Sequence, residues 1–211
     1  MLHKRGSPNV VITSVDLSDE DLHAIGAQPK LASDGTTLMT LIGSSFDASS
    51  AVSTSSLERD PREALKPWFI QFPEVPGYFS GVGDTFSALL VGRFDASTLA
   101  RDEEDGKAPS AAPTHVARAA ELAIASLQAV LTRTSRAIAS APELPDEATL
   151  TTLAQAALPE GTSWPSEPQE AAKLVAAQRT VEEMRPRELK IVQSKADIER
   201  PHIVHRAAYF S

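Results

Sequence analysis

The chain has 211 residues, a formal net charge of −8 and no cysteine. The length allows one domain with a real core, the acidic balance argues against nucleic acid and polybasic membrane binding, and the lack of cysteine excludes disulfides and thiolate metal sites. No apolar run approaches the ~20 residues that span a bilayer, and the N-terminus lacks the apolar core of a secretory signal. We therefore expect a soluble, cytoplasmic protein.

The first residues have the pattern of a helix end, with basic residues before Gly6 and Pro8. A β-branched run at 10–13 then predicts a strand buried on both faces, as in a parallel α/β sheet. Thr13 and Ser14 fall at its carboxyl end, where open α/β sheets bind ligands. The acids at 16–21 indicate a solvated loop or helix face.

Two more strands are predicted at 37–43 and 68–72, with a surface loop over 44–56 between them. Prolines and a glycine at 73–77 indicate a turn after the third strand. The sequence therefore predicts a strand, a proline–glycine loop, a glycine turn and a helix in that order.

The glycine turn is the sequence Gly81-Val82-Gly83-Asp84, and helical spacing begins at about Asp84. Gly81 and Gly83 allow a tight turn and a close backbone approach to a ligand. The amide groups and positive dipole end of the following helix then form an anion site, typically for a phosphate. Asp84 has two interpretations: a helix cap, or a general base beside a phosphoryl group.

A long helix is predicted from a Thr114 cap to about residue 139. Its apolar positions form one buried stripe, whereas His115 and Arg118 are interpreted as solvated. The stripe consists of Val116, Ala120, Ala123, Ile124, Leu127, Val130 and Leu131.

An Ala-, Pro- and Glu-rich segment at 140–186 is interpreted as a mobile insertion with patchy helix, including a helix at 170–184. It separates an α/β core at 1–139 from a C-terminal strand and tail at 187–211, where a strand is predicted at 189–193. His202 and His205 allow a metal pair, but an ordinary terminal segment is the preferred interpretation because no third ligand lies nearby.

Four segments together resemble the C-terminal half of the pyridoxal kinases, within the ribokinase-like superfamily. They are VVITS at 10–14, GVGDTF at 81–86, LQAVLTRT at 127–134 and ELKIVQSKADIE at 188–199. The last resembles pyridoxal kinases more than sugar kinases, and the resemblance covers the chain except about 140–186. It implies an α/β fold, the ATP-side part of a three-layer αβα domain that is incomplete here.

The resemblance also implies roles for single residues. Asp84 would be the base that takes a proton from the 5′-hydroxyl of pyridoxal as that hydroxyl attacks the γ-phosphorus of ATP. The backbone amides of Gly81, Val82 and Gly83 would form an anion hole. Thr13 and Ser14 would contact the ATP phosphates, and three apolar side chains, with core packing as their alternative, would line the adenine slot: Val75, Phe79 and Leu131.

The implied function is ATP-dependent phosphorylation of pyridoxal, pyridoxine or pyridoxamine, with ATP as co-substrate, Mg²⁺ and a monovalent cation as cofactors, and a homodimer in the full-length form. One alternative is an inactive half-domain that at most binds nucleotide or pairs with another chain. A sugar or hydroxymethylpyrimidine kinase of the same superfamily is the other. The family's vitamer pocket lies in an N-terminal half that has no match here, so we expect the chain alone to lack turnover. We also expect it to self-associate through the strand at 10–13, because an apolar strand without a neighbour is a template for association.

Overall fold

A computed structural model of the chain describes residues 2–46, 65–94 and 114–211. Its elements are strands β1 (Asn9–Ile12), β2 (Leu38–Phe46), β3 (Leu65–Pro73) and β4 (Ala208–Tyr209), and helices α1 (Asp19–Ala24), α2 (Val82–Arg93), α3 (His115–Ala139), α4 (Glu147–Ala156), α5 (Pro168–Met184) and α6 (Lys195–Glu199). This mixture of helices and a four-stranded sheet confirms the predicted α/β class. No helix in the described ranges is long and apolar enough to cross a membrane.

The strands form one sheet in the order β1-β2-β3-β4, and every neighbouring pair is antiparallel. The parallel sheet expected from the run at 10–13 is therefore wrong. The prediction that this strand is covered on both faces is also wrong, because β1 lies at an edge of the described sheet and Ile12 is 51% exposed. A continuous apolar run indicates a strand, but not its direction or its place in the sheet.

One face of the sheet packs on α2 and α3. Leu41 pairs with Ile70 across β2 and β3, and both side chains are buried in the core with Phe86 of α2 and Ile124 of α3. Trp68 lies over Gly43 on the same face: a Cβ on Gly43 would come within 2.1 Å of the indole ring. Glycine is therefore required there by the space that the tryptophan occupies.

The opposite face carries Phe69 and Gln71. The Gln71 amide accepts a hydrogen bond from the backbone N–H of Gln28 at 2.8 Å and donates one to the Gln28 carbonyl at 2.8 Å. The ring of Phe210 lies 6.2 Å from that of Phe69. The segment after α1 and the C-terminal residues thus cover part of this face.

The helix predictions are confirmed in outline. Thr114 caps α3 by accepting a hydrogen bond from the backbone N–H of Ala117 at 3.3 Å, and the apolar stripe of α3 is buried as expected. The helix predicted at 170–184 is α5, and the acids at 16–21 run into α1. At the N-terminus, a 3-10 turn over His3–Arg5 ends at Gly6 in the left-handed region, with φ 94°.

Three other local predictions need correction. The strand expected at 189–193 is absent from this described part of the chain, where a 3-10 turn at Val192–Ser194 leads into α6; the last strand is instead β4. Residues 44–46 of the expected surface loop belong to β2, and the rest of that loop lies outside the described residues. Arg118 is not solvated, as described below.

Candidate nucleotide-binding site

A cavity of about 360 Å³ lies at the end of the sheet where β1 and β3 finish and β2 begins. The loop after β3, the first turn of α2 and the middle of α3 complete its wall. Its size falls within the ~300–1,000 Å³ typical of small-molecule sites. Seven of its lining residues are site residues named in the sequence analysis: Thr13, Ser14, Val75, Phe79, Val82, Gly83 and Leu131.

The polar end of the cavity is formed by the residues after β1. Thr13 and Ser14 are both exposed, and Ser14 adopts φ 55°, an uncommon left-handed conformation for a residue other than glycine. The run at 10–13 brings these hydroxyl groups to the cavity because the strand stops there. Two side chains that can donate hydrogen bonds to an anion are therefore placed at the cavity.

The loop after β3 and helix α3 supply the apolar wall. Val75 and Phe79 pack against the core beside Leu131. Gly77 has φ 129°, and a Cβ there would meet the Phe79 ring at 3.3 Å. The loop thus turns with little space around Phe79, and its two apolar side chains meet Leu131 of the distant helix α3 in one wall.

The turn into α2 forms the remaining edge. Gly81 is the N-cap, with φ 82°, and its carbonyl accepts the first helical hydrogen bond, from Thr85 N–H at 3.0 Å. The amides of the first helical turn have no partner within the helix and carry its positive dipole end. Val82 and Gly83, which belong to that turn, border the cavity.

Two predictions about this turn are refined. Helix α2 begins at Val82, so Asp84 is its third residue and not its cap. An acid there is favourable beside the helix dipole, and the side chain is exposed. Val82 and Gly83 line the cavity. Gly81 and Asp84, the residues on either side of them in the chain, are not among its described lining residues.

Gly83 is helical, and a Cβ on it would meet no atom within 4 Å. Of Gly81 and Gly83, only Gly81 therefore has a backbone conformation in the left-handed region, which favours glycine. The first atom of a side chain at Gly83 would therefore meet open space at the edge of the cavity.

Sequence reasoning missed Gln128 and Tyr78. The Gln128 side-chain amide donates a hydrogen bond to the carbonyl of Pro73 at 3.0 Å and fixes the end of β3 to α3. Tyr78 is an exposed aromatic side chain at the cavity. Its position beside Phe79 in a proline–glycine loop was a signal available in the sequence.

The metal ions implied by the resemblance have no ready cluster here. In the described ranges, no group of three His, Asp or Glu side chains converges. His202 and His205 border a different cavity, against another face of α3. Glu74 is the carboxylate among the described lining residues of the nucleotide cavity.

No protein-family model matches the chain, and no curated protein matches it. Among solved structures it is similar to pyridoxal kinase from Leishmania donovani in complex with ADP (15% identity, TM-score 0.46, 99% of this chain and 42% of that one). It is also similar to the complex with ADP and ginkgotoxin (16%, 0.47, 99% and 40%) and to the complex with ADP and pyridoxine (17%, 0.45, 99% and 41%). The chain spans about two fifths of the length of these structures. These three solved structures are of pyridoxal kinase.

Proposed function

We propose that the chain is the nucleotide-binding part of an ATP-dependent kinase that phosphorylates the 5′-hydroxyl of pyridoxal, pyridoxine or pyridoxamine. The observation that carries the proposal is the cavity at the end of the sheet. Residues that the resemblance assigns to the adenine slot, the phosphate contacts and the anion hole are far apart in sequence, and seven of them border that one cavity.

The cavity suits the two ends of a nucleotide. Val75, Phe79 and Leu131 offer an apolar slot for a planar base. Thr13 and Ser14, with the first amides of α2, offer donors for phosphate oxygens. A nucleotide with its base in the apolar slot and its phosphates at these donors would place its terminal phosphates beside the N-terminus of α2.

The proposed chemistry is in-line phosphoryl transfer. The amides of Gly81, Val82 and Gly83 would stabilise the charge that develops on the transferred phosphoryl group. Asp84, one residue further along the same turn, would accept the proton of the attacking hydroxyl. Its exposure leaves the carboxylate accessible to a substrate that approaches from outside the cavity.

A nucleotide-binding domain without turnover is the second candidate. It is favoured by one observation: the described lining residues include those proposed to contact the base and the phosphates, whereas Asp84 is not among them. Binding of ATP and transfer of its phosphate are therefore separate questions for this chain.

A coupled ADP-release assay with each of the three vitamers tests the proposal. It is performed on residues 1–211 and on the chain together with any in-frame sequence found upstream of Met1. ADP release that depends on a vitamer, and not on a sugar or a hydroxymethylpyrimidine, is the expected result for the complete enzyme. ATP binding without release in either form would favour the second candidate.

A further inference from the structure

A second cavity, of about 420 Å³, lies between the outer face of α3 and the C-terminal segment after α6. Ala125, Ala129, Arg133 and Arg136 are spaced so that they share one face of α3. The short side chains of Ala125 and Ala129 leave room there, and His202 and His205 border the cavity from the C-terminal segment. We refer to it as the outer cavity.

The outer cavity gathers basic groups in a chain of net charge −8. Two arginines and two histidines border it, against one carboxylate, that of Asp197. Arg133 is paired with Asp197 at 2.9 Å. Arg136 is exposed and forms no ion pair within the part of the chain that the structure describes.

The arginines determine which ligand the cavity suits. A guanidinium group presents planar paired donors that match the oxygens of a phosphate, and such charge-assisted hydrogen bonds are stronger than neutral ones. Thr132 adds a hydroxyl at the same wall. A metal is disfavoured, because no three metal-ligating side chains converge among the described residues.

We propose that the outer cavity binds a small phosphate-class anion, either inorganic phosphate or a phosphate monoester, through Arg136, Arg133 and the two histidines. It is distinct from the nucleotide cavity, which lies against a different face of α3. Gln128 borders both cavities, and its amide holds the end of β3. The proposal does not depend on the kinase assignment.

Burial of His205 lowers its pKa, because desolvation disfavours the charged imidazolium. The groups that face it in the outer cavity are Arg133, Arg136, Asp197 and His202. An anion would favour the protonated form of His205, so binding should take up a proton. The affinity for an anion whose own charge does not change with pH should therefore rise as the pH falls.

The test is an NMR titration of the histidine ring signals with inorganic phosphate and, separately, with glycerol 3-phosphate. The signals of His202 and His205 should shift and saturate, while those of His3, His23 and His115, which do not border the outer cavity, stay unchanged. A lower dissociation constant for one of the two compounds distinguishes the free anion from a monoester as the ligand. Sulfate, which keeps its charge, should bind more tightly at about pH 6 than at about pH 8.

Three variants make the test specific. Arg136→Gln should weaken phosphate binding roughly tenfold, because it removes a charge-assisted hydrogen bond. Asp197→Asn should strengthen it, since the carboxylate no longer competes for Arg133. Arg179→Gln, an exposed change on α5, is the matched control and should change nothing. Equal affinities in all variants, or equal shifts at all five histidines, would overturn the proposal.

Discussion

At the scale of single residues, Asp84 carries the proposed chemistry, and its place in the third position of α2 separates two roles. An acid in the first turn stabilises the helix dipole by about 0.3–1 kcal/mol. A general base acts only in the transition state. The two roles predict different effects for a substitution that keeps the shape of the side chain.

Asp84→Asn in the complete enzyme should lower kcat by roughly 10²–10⁴-fold with little change in the KM for ATP, because the amide cannot accept the hydroxyl proton. Steady-state ADP release measures both constants. A kcat close to that of the wild type would leave Asp84 only a structural role in the helix.

Glu121 is a second residue whose role depends on its surroundings. Its side chain is 3% exposed, pairs with Arg118 at 2.8 Å and accepts a hydrogen bond from the backbone N–H of Ala207 at 2.9 Å. The side chain of Arg118 is 11% exposed, so the sequence-based interpretation of that residue as solvated is wrong. Helical spacing predicts which residues share a face of α3, but it does not show that the C-terminal segment covers the face that carries Arg118 and Glu121.

Glu121→Ala should lower the free energy of unfolding by about 3–5 kcal/mol, because it leaves the buried guanidinium of Arg118 without this carboxylate. Glu170→Ala is the matched control: its partner Lys173 is exposed and 3.6 Å away, so the loss should be about 0–1 kcal/mol. Urea denaturation followed by circular dichroism measures both. Equal losses would show that the Glu121 pair is no more important than a surface pair.

At the scale of elements, sequence patterns located the strands and helices better than their partners. The period of α3 and its Thr114 cap are local signals, and both predictions are confirmed. Pairing direction and the position of β4 are set by contacts between distant residues, such as Trp68 with Tyr209, which no local pattern encodes. The strand expected at 189–193 was wrong for the same reason: an apolar run was read without its tertiary setting.

The contact of β2 with β3 gives a prediction at this scale. Gly43→Ala should lower the free energy of unfolding by about 1–3 kcal/mol, because the added Cβ overlaps the Trp68 ring. Gly92→Ala in α2 is the control, since nothing lies within 4 Å of its Cβ; helix propensity should leave it equal or up to about 1 kcal/mol more stable. Denaturation midpoints compare the two. A neutral Gly43→Ala would mean that the indole moves aside without cost.

At the scale of the whole molecule, the cavity brings together residues that local sequence patterns leave separate and that only the resemblance assigns to one site. The glycine turn and the end of β1 were found by local reasoning, whereas their meeting with Leu131 depends on how α3 packs on the sheet. Gln128 went unrecognised because a polar residue on a helix has no signature of a long-range hydrogen bond. Self-association through β1 and the division of the chain at 140–186 stay predictions.

The central claim is that the cavity binds ATP with its phosphates at the first turn of α2. Isothermal titration calorimetry of ATP and adenosine into residues 1–211, in the wild type, Gly83→Val and the Gly92→Ala control, tests it most directly. We predict that Gly83→Val weakens ATP binding at least about tenfold, leaves adenosine binding unchanged and preserves the fold, because its side chain enters open space at the phosphate end. Absence of ATP binding by the wild type, or equal ATP affinities in the wild type and Gly83→Val, would contradict the account.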